Sequence, residues 1–180
     1  MNRAPKTRDY FAEMYVAGVL ADAGWQIYFP RRDVGFDFIA IKSHGEQSII
    51  RPIQVKGKYP TETKTDKQNY GYDGKLTQVH PEMVLAIPFF SHENAKAPEC
   101  VAYMPRGQLR DRSTEDRYYT FPALFRDGKT VPRRDFRKFF DERGLRLLLS
   151  SSFSTEEPGA SEDADPCNTP DLAHKAAQGR

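Results

Sequence analysis

An α/β fold is predicted by three stretches of this sequence. Thr7 to Ala23 repeats apolar side chains at helical spacing and stops at Gly24, a residue suited to the left-handed backbone that ends a helix. Gly35 to Lys58 holds two alternating apolar runs around the polar turn Ser43 to Gln47, the pattern of a β-hairpin. Met83 to Phe90 is a dense apolar run with the length and composition of a buried central strand. A helix, a series of strands, then further helices and strands make an α/β core. The 180 residues suffice for one such domain, not two.

Hydrophobic residues make up 38% of the chain and aromatics 12%, so rings supply much of the core-building surface. The formal charge of +2 hides an asymmetry. From Glu156 onward six acids face Lys175 and Arg180, which leaves residues 1–155 at about +6 by the same counting. A basic body points to a polyanionic partner; a solvated basic surface without one is the alternative. From about Ser151 the chain turns to Ser, Pro, Gly and acids, which cannot bury enough apolar surface to order themselves. Residues 1–150 are therefore expected to form the domain and 151–180 a disordered acidic tail.

Cys100 and Cys167 lie far apart, and His44, His80, His92 and His174 show no ligand spacing. A disulfide framework and a zinc site are both disfavoured, and a reducing, cytoplasmic setting is expected. No apolar run approaches membrane-spanning length, and the first residues lead into no signal-type core. A soluble protein with no membrane partner is expected.

In chain order, the first helix is placed to be capped by Thr7 or Asp9. At 100° per residue, Glu13 falls between Ala17 and Leu20, beside Val16, on the apolar face. Two readings of a carboxylate there stand: a buried salt bridge, or a ligand aimed into a site. Trp25 to Phe29 reads as a short strand, followed by a turn over Pro30 to Gly35. In the hairpin, Phe36, Phe38 and Ala40 point one way and Asp37, Ile39 and Ile41 the other. Ile53 and Val55 share a face, and Gln54 and Lys56 share the opposite one. Pro52 marks the second strand as an edge or a bulge. A carboxylate, an amide and an amine thus sit in apolar strands, where unpartnered burial costs a few kcal/mol each.

Gly57 to Val79 interleaves Lys58, Lys64, Lys67 and Lys75 with Tyr59, Tyr70 and Tyr72, broken by glycines. It reads as a long loop. Cations mixed with flat rings suit a phosphate backbone with stacked bases, so Lys58, Lys64, Lys67, Tyr70, Tyr72 and Lys75 are candidate nucleic-acid contacts. The competing reading has the tyrosines packing down on the sheet. Cys100 to Met104 is a strand ended by Pro105, and Arg106 to Asp127 a short helix and a loop. Arg133 to Arg143 is a second helix closed by Gly144, with Phe136, Phe139 and Phe140 on its core face.

Glu13, Asp37, Gln54 and Lys56 directed at one place suggest a mechanism. Two carboxylates are hard oxygen ligands suited to Mg²⁺. The metal would polarise a phosphodiester and lower the pKa of a bound water, with the Lys56 ammonium beside it orienting that water or offsetting developing charge.

The set Glu13, Gly35-Phe-Asp37 and Gln54-Val-Lys56 resembles the PD-(D/E)XK nuclease superfamily, which includes Holliday junction resolvases and restriction-type endonucleases. There a mixed central sheet flanked by helices carries a helical Glu, an Asp opening the second core strand and an acid-x-Lys on the third. The match runs from about Arg8 to Lys58. The resemblance implies a restriction-endonuclease-like core, metal binding by Glu13, Asp37 and Gln54 with the Val55 carbonyl, and a catalytic role for Lys56. Two departures stand out. Phe36 replaces the proline before the Asp, and Gln54 replaces the usual acid, a tolerated variant that leaves one less negative charge for Mg²⁺. The expected activity is metal-dependent endonucleolytic hydrolysis of DNA, favoured over RNA, with Mn²⁺ able to substitute. A nuclease fold that binds nucleic acid without chemistry, or acts through protein contacts, is the alternative. Two-strand cleavage needs two sites, so a homodimer is compatible, although no sequence feature specifies one. No helix-turn-helix or zinc module implies a sequence-specific target.

Overall fold

Helix α1 (Thr7–Asp22) ends as its sequence directs. Gly24 takes φ +83°, and the Trp25 and Gly24 amides donate to the carbonyls of Leu20 (3.0 Å) and Ala21 (2.9 Å). That is the paired-bond cap which a left-handed residue makes at a helix C-terminus. Ala12, Val16, Ala17 and Leu20 are buried, and Glu13 beside them is half-buried. The computed structural model describes residues 7–32, 35–59, 66–76, 79–91, 96–112 and 116–150. The expected acidic tail, with Cys167 and His174, lies outside them, as do Lys64 and His92.

The strands are β1 (Gln26–Tyr28), β2 (Phe38–His44), β3 (Gln47–Val55), β4 (Lys67–Lys75), β5 (Val84–Phe90), β6 (Pro98–Pro105), β7 (Arg110–Asp111), β8 (Arg117–Arg126) and β9 (Lys129–Pro132). Five of them form a sheet in the order β1-β2-β3-β5-β6. Its neighbours are antiparallel except β3 and β5, which run parallel, so the sheet is mixed. Helix α1 packs against β1, β3 and β5, and α2 (Asp141–Leu147) against β6. The hairpin turn is tighter than expected: Ser43, His44 and Gln47 are all in the ladder, which leaves Gly45 and Glu46 as a two-residue loop. At Pro52 β3 is locally an edge, as expected. Parallel pairing with β5 begins at Ile53, so at Pro52 the side of β3 away from β2 has no ladder for a proline to interrupt. β5 is buried along its whole length, as its composition predicts.

Three expectations fail, each for a tertiary reason. The loop expected over 57–79 contains β4, which pairs with β8. Three consecutive residues of it, Tyr70, Gly71 and Tyr72, are buried across a break in register, which hides the period of two. Gly71 permits this closeness, because a Cβ there would lie 2.3 Å from the Thr120 carbonyl oxygen. The helix and loop expected over 106–127 are a 3₁₀ turn (Arg106–Gln108), β7 and the long strand β8. The helix expected over 133–143 is broken at Phe140, which is extended between a 3₁₀ segment (Arg134–Phe139) and α2; Gly144 lies within α2 and does not end it.

β4, β8 and β7 form a second sheet, with β9 added along β8. It joins the first through Tyr70, whose ring lies 5.2 Å from those of both Phe89 on β5 and Phe125 on β8. Phe89 also stacks on Phe140 (6.1 Å), so both sheets and the C-terminal segment share one core. No helix among the described residues is long and apolar enough to cross a membrane.

Arg51 is 2% exposed and fastens the C-terminal end of the described chain to β3. Its guanidinium donates to the Leu148 carbonyl (3.0 Å) and the Ser150 carbonyl (2.7 Å), and pairs with the partly exposed Glu82 carboxylate. The fork geometry reaches three acceptors that an ammonium cannot satisfy together. Arg51→Lys is therefore expected to cost roughly 2 kcal/mol, and Glu82→Gln less than about 1 kcal/mol, because that carboxylate can rehydrate. Urea unfolding midpoints at unchanged slope measure both.

Candidate functional site

The parallel pairing continues past the end of β3. Lys56 N–H donates to the Ala86 carbonyl (2.9 Å), Lys58 N–H to that of Pro88 (2.8 Å), and Phe90 N–H to that of Lys58 (2.8 Å). The segment after Val55 is thereby held extended along β5, and alternation keeps Gln54, Lys56 and Lys58 to one side. Asp37 enters from the start of β2. The partners Phe38 and Ile53 share a face, so Asp37 and Gln54 share the other. Asp37 is fixed at three points. Its N–H donates to the Ile53 carbonyl (2.9 Å), while its Oδ2 accepts from Val55 N–H (2.6 Å) and from the Gln54 amide (2.8 Å). Two donors on one oxygen offset the cost of half-burying a carboxylate and orient it.

Glu13 completes the group from α1. It lines a cleft of about 340 Å³ together with Asp37, Gln54 and Lys56, bounded by Pro30, Arg31 and Arg32 of the β1–β2 turn, by Gly35 and Phe36, and by Lys75 from the end of β4. Burial raises the Glu13 carboxyl above its ordinary range, and the Asp37 charge raises it further; Lys56 opposes both, and Asp9 adds a smaller upward push. Two carboxylates in a sheltered cleft, each disfavouring the other's charge, are the situation that a divalent cation relieves.

The donor set fits a hard cation. The Glu13 and Asp37 carboxylates, the Gln54 amide and the Val55 backbone supply oxygen chemistry of the kind Mg²⁺ accepts, with waters completing its shell. Among the described residues no three His, Cys, Asp or Glu side chains group together. A cation here would rest on two negative charges plus neutral oxygens. The Gln54 amide nitrogen faces Asp37 and donates to it, which leaves the amide oxygen as its ligating end.

The remaining predicted contacts divide. Lys75 lines the cleft. Lys58 is half-buried, and burial and then the nearby Lys67 push its ammonium pKa down against an upward pull from Asp73. Lys67 is exposed, 6.0 Å above the Tyr70 ring. Tyr70 and Tyr72 are 5% and 7% exposed, so neither offers a ring face to a base; the packing reading holds for both. The Tyr72 hydroxyl donates to the Lys75 carbonyl (2.7 Å), which fixes the β4 end that carries Lys75. Arg31 and Arg32 were not singled out from sequence. The signal was present: a two-arginine turn running directly into Asp37 has to end beside it. No protein-family model, curated protein or solved structure matches this chain.

A raised carboxyl pKa favours the fold below the ordinary value of 4.5, and that contribution is lost as pH rises through the folded-state value. In metal-free protein Glu13→Gln is therefore expected to raise the melting temperature at pH 7 by roughly 1–3 °C and to make no difference below about pH 4. Thermal unfolding across that range in chelator measures both ends.

Proposed function

We propose that this chain is a metal-dependent endonuclease that hydrolyses DNA phosphodiester bonds, built on a restriction-endonuclease-like core. The observation that carries this reading is the convergence of Glu13, Asp37, Gln54 and Lys56 from a helix and two strands on one cleft, with Asp37 hydrogen-bonded to Gln54 and Val55. The helical Glu, the Asp at the start of the second strand and the Gln-x-Lys at the end of the third follow the order of the PD-(D/E)XK pattern. The mixed sheet, with its third strand parallel to the next, is compatible with that core.

Glu13, Asp37, Gln54 and the Val55 carbonyl would hold the cation, which when bound supplies Lewis-acid polarisation of the phosphodiester and a more acidic water. The chain's own groups do the rest. Arg31, Arg32 and Lys75 rim the cleft and hold the flanking phosphates against two carboxylates that would otherwise repel them. The Lys56 ammonium sits within the field of Glu13 and offsets negative charge developing on the phosphoryl oxygens. Water adds to phosphorus, the bond to the leaving sugar oxygen breaks, and a proton passes to that oxygen.

A second reading, a nucleic-acid-binding module without chemistry, draws support from Gln54. With the amide in place of an acid, Asp37 is held by Gln54 and Val55 without a cation. The two readings part in one experiment. Purified protein with supercoiled plasmid and Mg²⁺ or Mn²⁺ is expected to nick, and to stop in chelator. Asp37→Ala and Lys56→Ala are expected to lose at least about 100-fold in rate while DNA binding stays within a few-fold. Equal nicking by wild type and Asp37→Ala would assign the activity to a contaminant.

Gln54→Glu tests the charge count. It replaces a donor to Asp37 with a like charge, so the metal-free melting temperature is expected to fall. Mg²⁺ affinity is expected to rise about 10-fold, and added Mg²⁺ to restore the melting temperature. Calorimetric titration and thermal unfolding read the two effects.

A further inference from the structure

We propose that the outer face of the β4–β8–β7 sheet is a platform for a single strand of nucleic acid, which it feeds into the cleft; this rests on the nucleic-acid part of the reading above. Cross-strand partners share a face. Tyr72 opposite Thr120 and Tyr70 opposite Ala123 are buried and face the core. The alternate pairs, Lys75 opposite Arg117 and Asp73 opposite Tyr119, with Arg110 opposite Tyr119 on β7, therefore face outward. Arg112 joins this face through Asp73, to which it donates at 2.5 Å, and Arg117 donates to the same carboxylate at 3.3 Å. Among the described residues these pairings place four cations and one acid on this face.

Both arginines remain accessible, with side chains 44% and 43% exposed. Exposed ion pairs contribute little to stability, so fold energetics alone give small reason for two guanidinium groups on one aspartate. What Asp73 does is aim them. The Arg112 guanidinium lies 4.8 Å over the Tyr119 ring, whose other neighbour is Phe121 at 5.6 Å. A guanidinium held over a tyrosine ring forms, with that ring, a cation–aromatic pair of the kind on which an unstacked base can lie. Arg117 and Lys75 beside it meet the phosphates on either side. Planar groups of this kind favour a single strand, because a duplex hides its base faces in its own stack. Lys75 belongs both to this face and to the cleft lining, so a strand on the platform leads to Asp37 and Lys56.

The test is fluorescence anisotropy of a labelled oligothymidine with the full chain, in chelator, over a series of salt concentrations. Arg117→Gln is expected to weaken binding several-fold and to lower the salt slope by about 0.7, and Arg112→Gln to weaken it several-fold with a smaller change in slope. Tyr119→Leu is expected to weaken it about 5-fold or more with the slope unchanged, and to leave duplex binding unaltered. Circular dichroism confirms that each variant is folded, and Arg143→Gln on α2 is the charge-matched control. Wild-type binding that survives all three substitutions within twofold, or that falls equally with Arg143→Gln, overturns the platform and leaves the cleft reading standing. No binding by wild type at low salt overturns both.

Discussion

The parallel seam between β3 and β5 is the constraint on which the rest of this protein depends. Antiparallel neighbours can be joined by a two-residue loop, as β2 and β3 are, but parallel neighbours cannot. The chain must leave the sheet after Lys58 and come back to start β5 at the far end. A helix usually makes that crossing. Here the excursion includes β4, an edge that needs a partner, and β8 supplies it. The second sheet is thus a consequence of the seam. It also explains why a residue as distant in sequence as Lys75 reaches the same cleft as Asp37.

The seam also sets the rigidity of the cleft. Lys56 and Lys58 lie beyond the last residue of β3, yet their amides are bonded to β5. Their side chains therefore start from a backbone as fixed as the sheet interior. Asp37 is fastened to β3 in turn by Val55 and Gln54. A cleft built this way pays little reorganisation when a charged ligand arrives, the condition under which electrostatic stabilisation is most effective.

The parts of this architecture legible in the sequence are those governed by local geometry. Alternation puts Gln54 and Lys56 on one side of β3, but Asp37 joins them only through the register set by the two-residue loop Gly45-Glu46, one step away from the register that the expected turn would have given. The helix end at Gly24 is equally local. What was not legible depends on partners far along the chain. Nothing within Lys67–Lys75 announces a strand, because Gly71 is buried between two tyrosines and the alternation collapses. The missing information lay in Thr120, against whose carbonyl Gly71 packs, and in Phe89 and Phe125, which claim the Tyr70 ring. The same holds for Phe140, extended because it bridges to Ala102 on β6 while Asp141 accepts from Val101 N–H (2.8 Å). Arg31 and Arg32 show the reverse case: the local clue, a two-arginine turn leading into Asp37, was present and was missed.

Gln54 joins stability to chemistry in this site. A carboxylate at that position would face Asp37 and Glu13 across a sheltered cleft, and three like charges there would press the metal-free fold toward opening. The amide removes one charge and turns a repulsion into a 2.8 Å hydrogen bond. Asp37 is then partnered within the chain without any cation, at the expense of electrostatic pull on one. The cations at the rim, Arg31, Arg32 and Lys75, act in the same direction from outside. They lower the local negative potential that would attract a free divalent ion, and they raise the attraction for a phosphate. On the proposed reading, a cation would therefore be held most firmly together with a nucleic-acid ligand, whose phosphate oxygens would make up the missing negative charge.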